Sequence, residues 1–190
     1  MGRPRRGWIT PAAMLGGVVM LGSLGLVSTA GADAPNAQVV EVRDQDGDSV
    51  GVVKLLQMGD KVDVRADLRD LPPGFHGFHV HAIGECVPPF TSAGGHYNPA
   101  GGVHGDHAGD MPVLLVNEDG TAQARFTTDR FTVRELVEAD GSAVIVHEAP
   151  DNFANIPNRY HSHTEDVFGP DSVTLAVGDA GGRLACGVIE

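Results

Sequence analysis

The chain has 190 residues, with 13 Lys and Arg against 25 Asp and Glu, and a formal net charge of −12 at pH 7 with histidine neutral. That length suits one domain with a hydrophobic core of ordinary size. The acidic balance excludes the basic surface that nucleic-acid binding requires, and an anionic substrate would need a local positive field to approach.

In chain order, the first segment reads as a targeting sequence. Arg3, Arg5 and Arg6 form a positive start, Ile9 to Val27 is apolar, and Ala30-Gly31-Ala32 fits a small-x-small cleavage pattern before Asp33. A membrane anchor of that length is the alternative. Four glycines within the apolar stretch and the adjacent cleavage pattern favour removal. Arg5-Arg6 alone is a weak twin-arginine signal, and with no cysteine near the cleavage point there is no lipid attachment. The expectation is a signal peptide over residues 1–32 and a secreted domain over residues 33–190, free of the membrane after cleavage.

From Asn36 onward short alternating segments are separated by turns. Strands are expected at Ala37–Arg43, Val50–Met58, Lys61–Leu68 and Phe75–Ala82, then at Pro112–Asn117, Thr121–Thr127, Ala143–His147 and Arg183–Val188. Asp44 to Asp48, Gly59-Asp60 and Leu71-Pro72-Pro73-Gly74 are the turns or breaks among the first four. Thr132–Ala139 is the one stretch with helical spacing. Eight short strands with tight turns predict an all-β antiparallel Greek-key barrel or sandwich rather than βαβ units. Gly84–Asp110 and Glu148–Gly182 are long, rich in Gly, Pro, Asn and Asp, and aperiodic. Loops of that length inside a compact domain are usually functional or disordered. Both carry or adjoin histidines, which favours function.

Six of the nine histidines fall in one pattern. His79 and His81 are two apart on an expected strand, so their side chains leave the same face. His96, His104 and His107 follow in the first long loop, with Asp110 three residues beyond, and His147 closes a later strand before the second. Imidazole nitrogens with one carboxylate suit copper and zinc. The bland alternative is a set of unrelated histidines satisfied by hydrogen bonds in turns; six so placed strain it. Cys86 and Cys186 are the only cysteines, and in an exported chain such a pair is expected to be a disulfide.

These residues resemble the copper–zinc superoxide dismutases from about Gln38 to Glu190. Leu71-Pro-Pro-Gly-Phe-His-Gly-Phe-His-Val-His-Ala-Ile-Gly84 is similar to the family's first copper motif, and Gly94-Gly-His-Tyr-Asn-Pro99 to the stretch with its metal-bridging histidine. His107-Ala-Gly-Asp110 resembles the end of its zinc loop. Gly178-Asp-Ala-Gly-Gly-Arg-Leu-Ala-Cys-Gly-Val-Ile189 resembles its C-terminal signature. The resemblance implies a copper ion held by His79, His81, His96 and His147, and a zinc ion held by His96, His104, His107 and Asp110. His96 would bridge the two metals and take part in catalysis as a proton carrier. Arg183 would receive the superoxide substrate beside copper. Asp151 would tie a copper ligand to a zinc ligand, Cys86 and Cys186 would form the family's disulfide, and His76 would be structural. A homodimer is a possible assembly.

Departures from the family pattern are local. Only Gly105 and Asp106 separate His104 from His107, where the family usually has more, and this makes His104 the ligand whose reach the spacing tests. Val177 stands where many members carry threonine. Glu165 and Asp166 lie where many carry basic residues. His161 and His163 read as solvated loop histidines in preference to an accessory metal site. The rival reading of the chain is a non-catalytic exported copper-binding or copper-delivery protein on the same barrel. Its expected Met and Cys ligands are missing from the pattern, and Arg183 is present.

Overall fold

Each expected strand forms because one of its faces is apolar. In the computed structural model, which describes residue 2 and residues 36–190, β1 (Ala37–Asp44) buries Val40 and Val42 and turns Val39 and Glu41 outward. The expected signal peptide, apart from Gly2, lies outside the described residues. β3 (Lys61–Leu68) buries Val62, Val64, Ala66 and Leu68 in strict alternation, save that Asp63 on the outer face is covered as well. The alternation of β2 (Ser49–Met58) slips, because Val50 and Val53 are both buried. A register shift against β1 absorbs the extra residue beside Gly51, whose φ of +131° and close approach to the Asp67 carbonyl require glycine.

The stretch expected as one strand at Phe75–Ala82 forms two, β4 (Gly74–His76) and β5 (Phe78–His81). Between them the chain changes partner at Gly77, which donates to the Ala149 carbonyl (2.9 Å) and accepts from the His147 amide (2.8 Å). β4 pairs with β6 (Leu114–Val116), whereas β5 pairs with β8 (Ser142–His147). With β7 (Ala122–Thr128) and β11 (Arg183–Ile189), the main sheet runs β5-β8-β11-β1-β2-β3-β7, antiparallel throughout. β4 and β5 taken as one bent strand give the expected eight. The insertion of β11 between β8 and β1 is the non-sequential step of a Greek key. The sheet curls around Val42, Val53, Val64, Leu114, Leu136 and Val144.

α1 (Val133–Val137) is shorter than the expected helix. Thr132 and Glu135 form a capping box at its start, Val133 and Leu136 pack into the core, and Ala139 has a φ of +56° just beyond it. The second long loop contains structure that was not expected: a small hairpin of β9 (His161–Ser162) and β10 (Val167–Phe168), then α2 (Ser172–Val177) capped by Asp171. Among the described residues no helix is long and apolar enough to cross a membrane.

Candidate metal centre

β5 is the edge of the main sheet, and its open edge is where the first long loop folds back. Ala82 donates to Gly95, Tyr97 to Val80, Val80 to Gly109 and Gly109 to Tyr97, at 2.8–2.9 Å. Those bonds lay His96 alongside His81 and Asp110 alongside His79. His147 reaches the same place from the end of β8, and Arg183 stands opposite it on β11. Backbone pairing thus gathers residues up to 104 positions apart in sequence, and all six histidines and both carboxylates, Asp110 and Asp151, are buried.

Two groups of side chains result. The first is His79, His81, His96 and His147; the second is His96, His104, His107 and Asp110. Within each group the candidate ligand atoms lie within 4.8 Å of one another. In the second, Asp110 Oδ1 lies 2.9 Å from His96 Nδ1, 3.2 Å from His104 Nδ1 and 3.4 Å from His107 Nδ1, and the His96 and His107 Nδ1 atoms are 3.3 Å apart. A tetrahedral ion with bonds of about 2.0–2.1 Å sets its ligand atoms about 3.3–3.4 Å apart, so the four atoms fit zinc. The short spacing before His107 does not keep His104 from this group. In the first group the Nε2 atoms of His81 and His147 converge to 3.3 Å.

Hydrogen bonds to the other ring nitrogens fix which atom each histidine presents. His81 Nδ1 donates to the Gly94 carbonyl (2.9 Å), and His147 Nδ1 makes a longer contact with the Gly181 carbonyl (3.4 Å). Asp151 accepts from His79 Nε2 through one oxygen (2.8 Å) and from His104 Nε2 through the other (2.7 Å), so it links the two groups. His79, His104 and Asp151 are also close enough to be a third ligand group, but these bonds use their facing atoms. What remains is informative. His79 Nδ1, His96 Nε2 and His104 Nδ1 are buried without a hydrogen-bond partner, a costly state that a bound cation would relieve.

The charge balance asks for the same cation. Burial lowers the pKa of His79 to about 4 and of His147 to about 3, and holds His81 well below the usual histidine value, so these rings are neutral at pH 7 with lone pairs free. Burial opposes ionisation of Asp110 and Asp151, yet the adjoining rings of His104 and His96 hold Asp110, and hydrogen bonds from His104 and His79 hold Asp151, well below the usual carboxylate range. Burial likewise opposes charge on His104, but Asp110 and Asp151 outweigh it and push that ring up to about 9. Two carboxylates in this enclosure attract positive charge.

The other sequence-predicted residues fall as follows. Arg183 donates to the Phe90 carbonyl and to the Gly94 carbonyl (2.6 Å), the same oxygen that orients His81. Cys86 and Cys186 are disulfide-bonded. His76 is buried between the carbonyls of His147 (2.7 Å) and Pro72 (2.8 Å), a structural position. His161, on β9, pairs with Asp166 (2.9 Å) and meets His163 edge to face, outside both ligand groups. Glu165 accepts from Ser172 at the start of α2. One contributor went unread in the sequence: Arg130 reaches the His104–His107 connector from beyond β7, and no local pattern marks it. Gly178, read only as the first residue of the C-terminal signature, comes so near that a Cβ would overlap Asp151 Oδ1 and His104 Nε2.

The family model of copper/zinc superoxide dismutase (SODC) matches residues 49–189. The chain belongs to that family. It is 42% identical over 130 residues to a Cu-Zn superoxide dismutase of Mycolicibacterium paratuberculosis, a match covering 63% of this chain and 57% of that protein. A counterpart in Mycobacterium tuberculosis is 44% identical over 130 residues, covering 63% and 54%. The chain thus spans little more than half the length of these mycobacterial relatives. Superoxide dismutase 2 of Aquifex aeolicus, also of the Cu-Zn type, is 31% identical over 185 residues, covering 90% of this chain and 96% of that one. Among solved structures, the Cu/Zn superoxide dismutase from Brucella abortus is similar with a TM-score of 0.59 and 26% identity, covering 81% of this chain and 99% of that one. The structural likeness shows that this chain shares the fold of that solved family member.

Proposed function

We propose that the chain dismutates superoxide, so that two superoxide anions and two protons give one oxygen and one hydrogen peroxide. Copper would be held by His79, His81, His96 and His147, and zinc by His96, His104, His107 and Asp110. The observation that carries this reading is His96. Its Nδ1 sits in the second group, at a spacing that suits a tetrahedral ion, while its Nε2 is buried and unpartnered, available to the first. Bound copper supplies the one-electron Cu(II)/Cu(I) couple that dismutation needs, whereas zinc has no accessible redox chemistry.

The chain's own residues supply the rest. His96 Nε2 is placed to hold a proton and give it to the departing peroxide. Arg183, fixed by two backbone carbonyls, offers the positive field that an acidic protein otherwise denies an anion. Asp151 holds His79 and His104 in one orientation. The rival reading as a copper carrier is not favoured, because neither group contains Met or Cys. Export of residues 33–190 after loss of a signal peptide is part of the proposal, and a disulfide suits an oxidising compartment. A homodimer, if formed, would have exposed apolar side chains to cover, among them Phe75 and Leu115, opposite each other across β4 and β6. Sedimentation velocity decides that point.

Metal analysis of the purified protein, paired with a superoxide-consumption assay, tests the function. One copper and one zinc per chain with rapid consumption supports it; bound copper without consumption returns the carrier reading.

A further inference from the structure

The connector between His104 and His107 is only Gly105 and Asp106, and it is gripped from both sides. Asp110 Oδ2 accepts from the backbone amides of Gly105 (2.7 Å) and His107 (3.0 Å). On the carbonyl side, Arg130 Nη1 donates to the oxygens of Gly105 (3.1 Å) and His107 (3.0 Å). One amino group with two hydrogens thus satisfies both carbonyls, and the same two residues are held through amides and carbonyls alike. Arg130 extends from a fixed base. Its own amide donates to Thr128 Oγ1 (3.2 Å), and the next residue, Phe131, is buried in the core. Arg130, Gly105 and Asp110 also line one cleft with Phe126 and Thr128, between the end of β7 and the loop.

We infer that Arg130 is a positioning residue for the second ligand group: by fixing the carbonyls of Gly105 and His107, it sets the spacing at which His104 and His107 meet Asp110. The inference rests on the zinc assignment above and adds to it the residue that makes so short a connector workable. Asp110 fixes the amides through its carboxylate, and its own amide donates to the His107 carbonyl (3.2 Å). The Gly105 carbonyl is held by Arg130, which ties it to that of His107 and so limits rotation of the connector between the two ligands. It touches no ligand atom and has no part in proton or electron transfer.

Zinc affinity measured by competition with a chromophoric chelator, in the wild type, R130A and R130K, tests it. Groups that orient ligands in this way typically cost about tenfold to a hundredfold in metal affinity when removed. R130A is expected to hold zinc weaker by that factor and to alter the visible spectrum of Co(II) bound in place of zinc. Its copper content and the thermal midpoint of its metal-free form should stay as in the wild type. R130K, whose ammonium can still donate to both carbonyls, is expected to recover part of the affinity. Unchanged zinc affinity and an unchanged Co(II) spectrum in R130A would overturn the inference. So would equal loss of copper and zinc with a lower metal-free midpoint, because that would mark Arg130 as a general structural residue. If the wild type itself takes up no zinc, the zinc assignment fails and this inference falls with it.

Discussion

Among the described residues, Arg183 is the guanidinium fixed beside the first ligand group, in a chain whose net charge repels anions. Focused fields of this kind raise association rates by about 10–10³-fold and weaken with salt. Arg183→Glu is therefore expected to lower kcat/KM for superoxide within that range at low ionic strength, with copper and zinc content kept. Identical low-salt kinetics in the two proteins would remove Arg183 from the substrate path. Gly178 gives a second prediction. A Cβ there would displace Asp151 or His104, so Gly178→Ala should weaken zinc about tenfold to a hundredfold, as loss of an orienting partner does. Zinc competition would show it, and unaltered affinity would mean that the link between the groups is dispensable. Asp63, on the outer face of β3, is a purely structural case. Its hydrogen bond from Arg125, then that from Arg65, holds its pKa below the ordinary value despite opposing desolvation. A depressed carboxylate stabilises the fold above its unfolded pKa of about 3.9, and the contribution is lost as pH falls through the folded value. Asp63→Asn should thus be less stable than the wild type at pH 7, with the urea midpoints converging in acid.

At the scale of elements, legibility followed the range of the interactions. β3 was readable because its alternation is local and unbroken, and the pair His79 and His81 because two residues on one strand must share a face. The break at Gly77 was not, since it is set by a change of partner from β6 to β8, and neither partner leaves a mark in residues 75–82. α2 was missed because it buries only Thr174 and so shows no apolar stripe. The reach of His104 could not be judged from spacing, because the connector is held by Arg130, 23 residues from His107. The disulfide joins the first long loop to β11 across 100 residues of sequence. In the chain-entropy account a crosslink of that span is worth about 4–5 kcal/mol, and losing a native one typically costs about 2–5 kcal/mol. The double variant Cys86→Ser, Cys186→Ser should show a loss in that range by urea titration of the metal-free protein. A loss near zero would mean that the loop is held by its other contacts.

For the molecule as a whole, the barrel serves as the rigid wall on which two loops complete a charged, water-excluding enclosure. Its polar interior is unbalanced without cations, as the unpartnered nitrogens of His79, His96 and His104 record. Ions that bind only the folded state stabilise it by mass action, by about 4 kcal/mol at a free concentration a thousandfold above Kd. Chelation should accordingly lower the thermal midpoint by several degrees, and readdition of copper and zinc should restore it.

The central claim is a pair of metal sites joined through His96 that turns over superoxide. It is met most directly by counting copper and zinc in the purified protein and assaying the same sample for superoxide consumption. The account predicts one of each per chain with rapid turnover, and loss of both copper and turnover in His147→Ala. Full activity in that variant, or a wild type that binds copper and consumes no superoxide, would contradict it.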